Sequence, residues 1–349
     1  MLKSFKITNF RGFKSFQIKD FSRLNLIAGK NNTGKTALLE ALFLHAGSFN
    51  PSLAITINAL RGIQKMAIQN DPAAEMPWNS LFYEFNPKSV IELDGQDENG
   101  RRILVTLSSE PISSAVVPVQ GTASNLMNQN ALVLKYIENK KKEERVTLKF
   151  TTKGLEYEPV FPLRVPAIFV SARSLGAHEE DAARFGQLTL RKEEEQLLGA
   201  LQEIEPRLKS VTVVYEADSP TLHGDIGQPR LVPLLLMGEG MVRLAKIVLA
   251  ISSSRNGIVF IDEIETGFHY SVMKSIWRGL SKIADTFNVQ LFATTHSLEC
   301  TRAAYTAFQN EPKFDLMVYR LDGKNSAVNA IAYDKESLGA ALEADLEIR

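Results

Sequence analysis

The stretch LNLIAGKNNTGKTALLEALFLHAG, Leu24–Gly47, carries the strongest indication of the fold. It begins with the short apolar run LNLIA, continues through a glycine-rich turn and ends in an apolar segment with helical spacing that Gly47 terminates. The order is therefore strand, loop and helix. The loop, GKNNTGKT at Gly29–Thr36, matches the pattern G-x-x-x-x-G-K-[ST] and occupies the position that this pattern requires, after a strand and before a helix.

This loop is predicted to bind phosphate groups. Its glycines allow backbone N–H groups to surround the phosphates, and the N-terminus of the following helix favours their negative charge. Lys35 is expected to reach the β- and γ-phosphates, and Thr36 to place its hydroxyl on Mg²⁺. The alternative is a glycine-rich turn that binds nothing, and the flanking strand and helix favour the phosphate loop.

The composition is that of an ordinary globular protein. The chain has 349 residues, of which 44% are hydrophobic and 23% are charged, enough for one large or two medium domains. The 40 Lys and Arg residues balance 40 Asp and Glu residues, so the net charge indicates neither a nucleic-acid nor an acidic-membrane partner. The single cysteine, Cys300, excludes an intrachain disulfide and cannot form a structural zinc site by itself.

The chain is not expected to enter a membrane. Its most apolar long stretch, Leu234–Ile251, carries Glu239, Arg243 and Lys246, whereas a spanning helix needs about 20 mostly apolar residues. The N-terminal sequence MLKSFKITNFRGF alternates charged and apolar residues and lacks the continuous apolar core of a signal peptide. We therefore predict a cytoplasmic protein without a membrane partner.

Two groups of strands flank the first helix. Residues 1–20 carry apolar side chains at intervals of two or three, which predicts two short edge strands. Residues 48–159 differ in character, with helical turns around Ala54–Gln69 and then the alternating segments SVIELDG, RRILVTLS, ALVLKYIE and RVTLKFTT. We interpret these segments as antiparallel strands of an inserted lobe with a polar loop at Gly121–Gln129. The hairpin tip KKKEE has mixed charges, which favours a solvated turn over a phosphate-contacting patch.

A second motif lies near the C-terminal end of the chain. The apolar runs GIVFIDE, Gly257–Glu263, and VQLFATTHS, Val289–Ser297, flank a helical stretch at Val272–Phe287. This βαβ unit implies a parallel sheet that is buried on both faces. Asp262 and Glu263 then stand at the carboxyl end of a strand, where ligands bind in α/β sheets. Asp262 can hold the water shell of magnesium and Glu263 can deprotonate an attacking water, whereas the alternative, a solvated acidic loop, is disfavoured by the phosphate loop in the same chain.

Two histidines are further candidates for a functional site. His296 ends the second strand of the βαβ unit in TTHS, so it is expected at the same sheet edge, where it can hydrogen-bond a γ-phosphate. A satisfied polar residue is the alternative, which the adjacent parallel strand disfavours. His269, in ETGFHYS, is expected either to contact a second subunit or to mark the start of a helix.

The segment LLLMGEGMVRLAKIVLAI combines a core helix with a turn that can bind an anion. Its residues Met241–Ile251 have one apolar stripe, and Gly238-Glu239-Gly240 form a glycine turn directly before them. The unpaired N–H groups at such a helix N-terminus are aimed at an anion.

These elements together predict an α/β fold with a mixed, mainly parallel central sheet, N-terminal antiparallel strands and an inserted β-rich and helical lobe. The expected organisation is a single head over residues 1–320, whose core comprises 1–47 and 160–320. The inserted lobe spans 48–159, and residues 321–349 form a C-terminal extension.

The order of the motifs resembles the ABC-type ATPase heads of the SMC/RecF/OLD group and looks closest to the OLD-like ATPases. The similarity covers about 1–47 and 160–320, and it rests on the phosphate loop, the GEG turn with its helix, the apolar strand before Asp262, ETGFH and TTHS. The sequence NFRGF, Asn9–Phe13, is also similar to the opening of those heads, which lies near the nucleotide base. The resemblance thereby makes Arg11 a candidate nucleotide contact.

The resemblance implies a role for each matching residue. Asp262 would be the Walker B aspartate that holds magnesium, Glu263 the catalytic base and His296 the switch histidine. Lys35 would act in catalysis as well as in binding, and Thr36 would also ligate Mg²⁺. The residues implied to hold ATP lie in and directly after the phosphate loop: Gly29, Asn32, Gly34, Lys35, Thr36 and Ala37.

The GEG turn would be the signature motif, which acts in trans in such heads. Two subunits enclose two ATP molecules, and each signature, here Gly238 and Gly240, caps the γ-phosphate on the other subunit. ATP binding would hold a homodimer or a larger homo-oligomer together, and hydrolysis would release it. The turn departs from the family pattern LSGGQ, because Gly238 replaces a serine and Glu239 adds a carboxylate, which implies slow turnover.

The chain offers no room for the long coiled coil of an SMC protein, and no Toprim domain with its acidic metal ligands is expected after the ATPase. The resemblance therefore implies a free-standing ATPase switch that regulates a separate effector, a Toprim or other nuclease, in phage defence or DNA surveillance. One alternative is a RecF-like repair factor that clamps DNA directly. The other is a scaffold that binds ATP without useful hydrolysis.

Overall fold

The computed structural model describes residues 1–47, 50–62, 76–112, 130–151, 154–159, 165–172, 178–216, 219–324 and 327–348. The predicted loop at Gly121–Gln129 and part of the predicted helical stretch Ala54–Gln69 lie outside these ranges. The described strands are β1 Leu2–Phe10, β2 Phe13–Lys19, β3 Leu24–Ala28, β4 Ile91–Asp97, β5 Arg102–Pro111, β6 Asn130–Glu138, β7 Glu144–Thr151, β8 Gly154–Glu158, β9 Ala167–Val170, β10 Ser210–Glu216, β11 Ser219–Asp225, β12 Val232–Pro233, β13 Ile258–Ile261, β14 Gln290–Thr295, β15 Leu316–Lys324 and β16 Ala327–Tyr333. The described α-helices are α1 Lys35–Ala46, α2 Leu53–Leu60, α3 His178–Leu190, α4 Glu194–Gln202, α5 Glu239–Ser253, α6 Met273–Thr286, α7 Leu298–Phe308 and α8 Lys335–Glu343.

The chain divides into two compact units. The first contains Met1–Asp20, Glu40–Arg164 and Gly323–Asn329, and the second contains the remaining residues. This division differs from the expected organisation, because the N-terminal strands group with the strands of the proposed lobe. The expected boundary at residue 320 falls inside β15.

The first unit is built on a seven-stranded sheet with the order β2-β1-β4-β5-β6-β7-β8. All of its neighbouring strands are antiparallel, which confirms the four strand segments that the sequence predicts for β4 to β7. The prediction of two edge strands is wrong for β1, which pairs with β2 on one side and with β4 on the other. Alternation reports which face of a strand is buried, and it does not report how many neighbours the strand has.

A histidine of α1 is buried against this sheet. The His45 ring contacts the Phe5 ring edge to face at 5.3 Å, and its Nε2 lies 3.0 Å from the carbonyl oxygen of Ile103. Because that oxygen can only accept, Nε2 carries the proton. Gly95 leaves room for the ring, since a Cβ at this position would lie 2.5 Å from His45 Cε1. Burial lowers the pKa of His45 to about 4, so the ring is neutral near neutral pH.

The second unit is built on a six-stranded sheet with the order β16-β15-β3-β14-β13-β9. The four pairs from β15 to β9 are parallel, which confirms the predicted βαβ unit of β13, α6 and β14. Ala28 and Thr295 are register partners at the carboxyl ends of β3 and β14, and Ile261 pairs with Ala293. The loops that follow β3, β13 and β14 therefore leave the sheet at the same edge.

Helices α5 and α6 supply much of the core of the second unit. Every side chain of α5 from Met241 to Ser252 is buried, and α6 buries one face that includes Trp277 and Leu280. Helix α5 begins at Glu239, two residues before the predicted start, and it is 15 residues long. Within the described ranges, no helix is long and apolar enough to cross a membrane.

A small sheet of three strands, β10-β11-β12, also belongs to the second unit. These three strands were not predicted from the sequence. Val211 and Val213 of β10 and Leu222 of β11 are only partly buried where they pack on the core. Partial burial weakens the alternation of apolar and polar residues from which strands are predicted.

We predict that His45 makes the folded protein less stable at acidic pH. Its pKa is about 4 when folded and 6.5 as an ordinary imidazole, so the unfolded chain binds more protons between these values. The free energy of unfolding should keep its full value above pH 6.5 and fall as the pH drops toward 4, by up to roughly 3 kcal/mol. Urea unfolding at a series of pH values measures this dependence.

The variant His45→Gln keeps a donor for Ile103 and removes the titrating ring, so its unfolding free energy should change less with pH than that of the wild type. His269→Gln, which changes an exposed histidine, serves as the control and should keep the wild-type pH dependence. Equal pH dependences for His45→Gln and the wild type would contradict the prediction.

Candidate nucleotide-binding site

The loop between β3 and α1 contains residues with positive φ, a backbone conformation that glycine adopts more readily than other residues. Gly29 and Gly34 have φ values of 151° and 95°, and Asn32 lies at 63°. A Cβ at Gly29 would lie 2.8 Å from Thr33 Oγ1 and 2.9 Å from the carbonyl oxygen of Leu321, so a larger residue does not fit. This close packing explains why the first position of the motif is glycine.

Lys35 begins α1 and turns back over the loop. Its Nζ donates to the carbonyl oxygens of Gly29 at 2.6 Å and of Lys30 at 2.8 Å. Burial lowers the pKa of Lys35, and the carboxylates of Asp262 and Glu263 oppose that shift. The ammonium group is therefore held above the loop where the sequence analysis expects phosphates.

A chain of hydrogen bonds joins α1, β13 and β14. Thr36 Oγ1 lies 3.0 Å from Asp262 Oδ1, and Thr294 Oγ1 lies 2.7 Å from the same oxygen. The backbone N–H of Glu263 donates to Thr294 Oγ1 at 2.8 Å. Glu263 itself has φ of 49°, a left-handed conformation that side chains adopt rarely. Thr294 therefore forms hydrogen bonds with both acidic residues, Asp262 and Glu263. Its role was not predicted from the sequence.

His296 lies at the edge where the predicted residues meet. Its backbone N–H donates to Glu265 Oε1 at 2.9 Å, and its Nδ1 is 3.2 Å from the same oxygen. The His296 side chain is 51% exposed, whereas that of Glu265 is 14% exposed. The structure thus brings Lys35, Thr36, Asp262, Glu263 and His296 to the carboxyl ends of three adjacent parallel strands.

Arg243 of α5 is a second residue that the sequence analysis missed. In the sequence, Arg243 was used only as a charge that argues against a membrane span. In the folded protein its side chain is buried, with 2% exposed. Its guanidinium donates to the carbonyl oxygens of Asp262 and Ser171, both at 2.6 Å. Burial lowers the pKa of Arg243, and nearby carboxylates, Asp262 first among them, oppose the shift. Arg243 ties the start of α5 to the ends of β13 and β9.

The GEG turn packs against the turn that contains ETGFH. Gly238 has φ of 114°, and a Cβ at Gly240 would lie 2.8 Å from the carbonyl oxygen of Gly267. Gly267 in turn has φ of 82°, and a Cβ there would lie 3.2 Å from Glu239 Cγ. The two turns therefore approach each other through glycine backbones.

His269 begins the 3₁₀ turn Tyr270–Val272, and its side chain accepts a hydrogen bond from the backbone N–H of Ser271. This contact confirms the alternative that His269 marks the start of a helix. Contact with a second subunit stays a prediction.

Arg11 lies in the first unit and takes part in a buried ionic network. Its Nε is 2.6 Å from Glu40 Oε2, and its Nη2 donates to Asn58 Oδ1 at 3.0 Å. Arg61 also contacts Glu40 at 2.6 Å. Burial lowers the pKa of Arg11 to about 10, Arg61 adds to the lowering, and Glu40 opposes it. A role for Arg11 in nucleotide binding stays a prediction.

The residues of the second unit fit a nucleotide with magnesium. The Thr36 hydroxyl and the Asp262 carboxylate are oxygen donors only 3.0 Å apart, and oxygen is the ligand that Mg²⁺ prefers. Among the described residues, no group of three or more His, Cys, Asp or Glu side chains is arranged to hold a metal ion. This pair of donors suits a cation that takes its other ligands from phosphate and water.

We predict that Thr294→Val destabilises the protein by about 1–3 kcal/mol, because Asp262 loses a donor and the Glu263 N–H loses its acceptor in a buried position. Thr294→Ser keeps the hydroxyl and should retain most of the stability. Urea unfolding measures both variants. Equal losses in Val and Ser would show that packing, and not the hydroxyl, matters at this position.

We predict that Gly240→Ala lowers the melting temperature, because the new methyl group would lie 2.8 Å from the Gly267 carbonyl oxygen and would separate the two turns. Gly279→Ala in α6 is the control, since a Cβ there meets nothing within 4 Å and alanine favours helix. The control should be neutral or stabilising in a thermal melt. A melting temperature of Gly240→Ala at or above that of the wild type would contradict the close packing of the turns.

The chain matches two family models and is similar to a known phosphatase. Residues 1–157 match the family model described as AAA ATPase domain. Residues 133–300 match the model described as AAA domain, putative AbiEii toxin, Type IV TA system. The chain is 24% identical over 331 residues to an ATP/GTP phosphatase of Helicobacter pylori, and the match covers 86% of each protein.

Two further similarities are to the protein RecF and to the structure of an Smc head. The DNA replication and repair protein RecF of Clostridioides difficile is 31% identical over 103 residues, which cover 29% of this chain and 25% of RecF. The crystal structure of an Smc head bound to the C-winged helix domain of ScpA superposes with a TM-score of 0.52 at 9% identity, over 97% of this chain and 99% of that chain. That likeness shows the fold, which is the predicted mixed α/β head. The chain thus carries matches to two AAA ATPase domain models, over residues 1–157 and 133–300, and has the fold of an SMC head.

Proposed function

We propose that the protein is a magnesium-dependent ATP switch that dimerises around ATP and regulates a separately encoded effector. The observation that carries this proposal is the meeting of Lys35, Thr36, Asp262, Glu263 and His296 at one edge of the parallel sheet. A phosphate loop, a pair of oxygen donors for a cation and a carboxylate base are the groups that hydrolysis of a phosphoanhydride needs.

In this proposal, the loop residues bind the phosphates and Thr36 and Asp262 hold Mg²⁺. When bound there, magnesium supplies positive charge for the phosphate oxygens. Lys35 moves its donors from the carbonyl oxygens of the loop to the β- and γ-phosphates. The remaining phosphate contacts come from the backbone of the residues assigned by the resemblance: Gly29, Asn32, Gly34 and Ala37.

Glu263 acts as the general base. Its carboxylate accepts a proton from a water whose oxygen forms a bond to the γ-phosphorus, while the bond from that phosphorus to the bridging oxygen breaks. His296 donates to the γ-phosphate from the neighbouring strand. The backbone of Glu263 is held in a left-handed conformation, with φ of 49°, and its N–H donates to Thr294 Oγ1.

The GEG turn is proposed to serve the ATP of a second copy of the chain. Its N–H groups open α5, a helix of 15 residues whose N-terminus favours an anion. Arg243 of the same helix is bonded to the carbonyl oxygen of Asp262, so the turn and the subunit's own site share one rigid support. Glu239, the middle residue of the turn, is exposed, and its negative charge repels phosphate. This repulsion supports slow turnover.

A nuclease in phage defence or DNA surveillance is the proposed effector, and a cytoplasmic location goes with it. The match to a model described as a putative AbiEii toxin of a type IV toxin–antitoxin system supports a role of this kind. The OLD-like subtype, with a Toprim nuclease as the partner, belongs to the same proposal. Co-purification of the chain with the product of a neighbouring nuclease gene, dependent on ATP, would test it.

A RecF-like function is the second candidate, and the 31% identity to RecF over 103 residues favours it. This function predicts that the protein alone binds duplex, gapped or junction DNA when ATP is present. Affinity should then fall steeply with salt, because phosphate contacts release counterions. Fluorescence anisotropy with labelled DNA at two salt concentrations distinguishes this candidate from the effector-linked switch, which needs no such binding.

We predict that Glu263→Gln lowers the ATPase rate by roughly 100-fold or more, because the base is lost, while ATP binding remains. Lys35→Ala should lose ATP binding as well. With ATP and Mg²⁺, Glu263→Gln should accumulate as a dimer, and Lys35→Ala should stay monomeric. Phosphate release and light scattering after size exclusion measure the two effects.

Lys274→Ala, which changes an exposed lysine of α6, is the control for Lys35→Ala and should behave as the wild type. A wild-type protein without magnesium-dependent hydrolysis would contradict the switch. Lys35→Ala and Glu263→Gln with identical defects, beside a wild type that binds ATP, would instead favour the scaffold that binds without useful hydrolysis.

A further inference from the structure

Two leucines are exposed directly before the GEG turn. Leu235 and Leu236 lie in the 3₁₀ turn Leu234–Met237 and are 56% and 75% exposed. They border an apolar cavity of about 270 Å³, whose wall also includes Leu222, Leu234, Val242 and Ala245. Exposed leucines beside an unfilled apolar cavity indicate a surface that another molecule covers.

A negative charge lies next to these leucines. Glu239 is exposed and begins α5, three residues after Leu236. Because three residues of extended chain span at most about 11 Å, the carboxylate and the leucines belong to one patch. We call Leu235, Leu236 and Glu239 the GEG surface. It combines apolar groups with an acid.

An exposed leucine also lies next to the phosphate loop. Leu346, in the segment that follows α8, is 56% exposed. Its neighbour Glu347 has Oε1 at 3.2 Å from Nζ of Lys30, an exposed residue of the loop. We call Lys30 and Leu346 the loop surface. It combines an apolar group with a base.

The segment that carries Leu346 is held by its neighbours in the second unit. The Leu346 N–H donates to the carbonyl oxygen of Ala341 at 2.9 Å. The carbonyl oxygen of Glu347 accepts from Arg320 Nη1, and Ile348 is buried. The backbone is therefore fixed on both sides of Leu346, while its side chain stays exposed.

The two surfaces complement each other and do not complement themselves. Pairing the GEG surface with the loop surface brings Glu239 and Lys30 together beside an apolar contact, which satisfies both charge and polarity. Pairing either surface with its own copy would bring like charges together. In a dimer with a twofold axis, the complementary contact occurs twice.

We propose that the GEG surface of one copy docks on the loop surface of a second copy: Leu346 enters the cavity beside Leu236, and Lys30 pairs with Glu239. This inference rests on the proposed function, in which the GEG turn of one copy meets the nucleotide on the phosphate loop of another. Lys30 can exchange partners at small cost, because an exposed ion pair such as that with Glu347 contributes little to stability.

Cysteine crosslinking tests the contact. Leu236→Cys and Leu346→Cys are introduced into separate Glu263→Gln chains, and the two proteins are mixed with ATP and Mg²⁺ under mild oxidation. The native Cys300 is buried, which limits background crosslinking. We expect a disulfide-linked dimer in the mixture with ATP, and none without ATP or in either protein alone. In the control mixture, Leu190→Cys replaces Leu346→Cys at another exposed leucine, and no crosslink should form.

The dimer dissociation constant of Glu263→Gln at saturating ATP is a second measurement. Leu346→Ala should raise this Kd by roughly 10-fold or more, because each dimer loses two buried leucine side chains. Leu190→Ala is the matched control and should leave Kd unchanged.

A double-mutant cycle tests the ion pair. If Glu239 and Lys30 pair across the interface, Glu239→Gln should weaken the dimer about 3-fold more in a chain that keeps Lys30 than in one that carries Lys30→Gln. Lys335→Gln, which changes an exposed lysine of α8, should not alter the effect of Glu239→Gln.

A dimer that forms in the crosslinking mixture without the disulfide, or a Leu346→Ala variant with an unchanged Kd, would overturn this interface and leave the ATP-dependent dimer standing. Equal effects of Glu239→Gln in the two lysine backgrounds would overturn the ion pair. If light scattering finds no dimer with ATP, the proposed function fails and the docking surface fails with it.

Discussion

The parallel pairing of β3, β14 and β13 is the interaction that assembles the candidate site. It brings three strand ends to one edge, so residues that are far apart in the chain meet there. A hydrogen bond of 2.7 Å from Thr294 to Asp262 joins neighbouring strands through a buried hydroxyl. Because that hydroxyl also accepts the Glu263 N–H, a single side chain holds Asp262 and Glu263, the proposed cation ligand and the proposed base, together.

Two cations near this edge, Lys35 and Arg243, donate to backbone carbonyl oxygens. Lys35 rests on carbonyl oxygens of the loop, and the acidic residues near it oppose the loss of its proton in a buried setting. Arg243 satisfies backbone carbonyl oxygens at the ends of β9 and β13, which binds α5 to the same edge. The GEG turn and the residues proposed to hydrolyse ATP are thus supported by one helix, although in the proposed dimer they serve different nucleotides.

Much of the fold could be predicted, because long apolar runs and clear alternation report burial directly. The βαβ unit, the phosphate loop and the antiparallel segments of the first unit all follow from such patterns. The interior position of β1 in its sheet and the sheet of β10, β11 and β12 could not be predicted. Strand neighbours depend on long-range hydrogen bonds, and partly buried strands leave a weak pattern. Thr294 and Arg243 were missed for the same reason, since their partners are distant in sequence.

The kind of chemistry available can be read from residue order alone: a loop of glycines before a helix, two adjacent carboxylates after a buried strand, and a histidine after the next strand. These are local features, which spacing and residue type report. Which of these groups touch each other depends on the folded structure. It assigned Glu265 to His296, Thr294 to Asp262 and the Gly240 backbone to Gly267. Such pairs arise from strand register and from close approach of backbones, and a linear pattern contains neither.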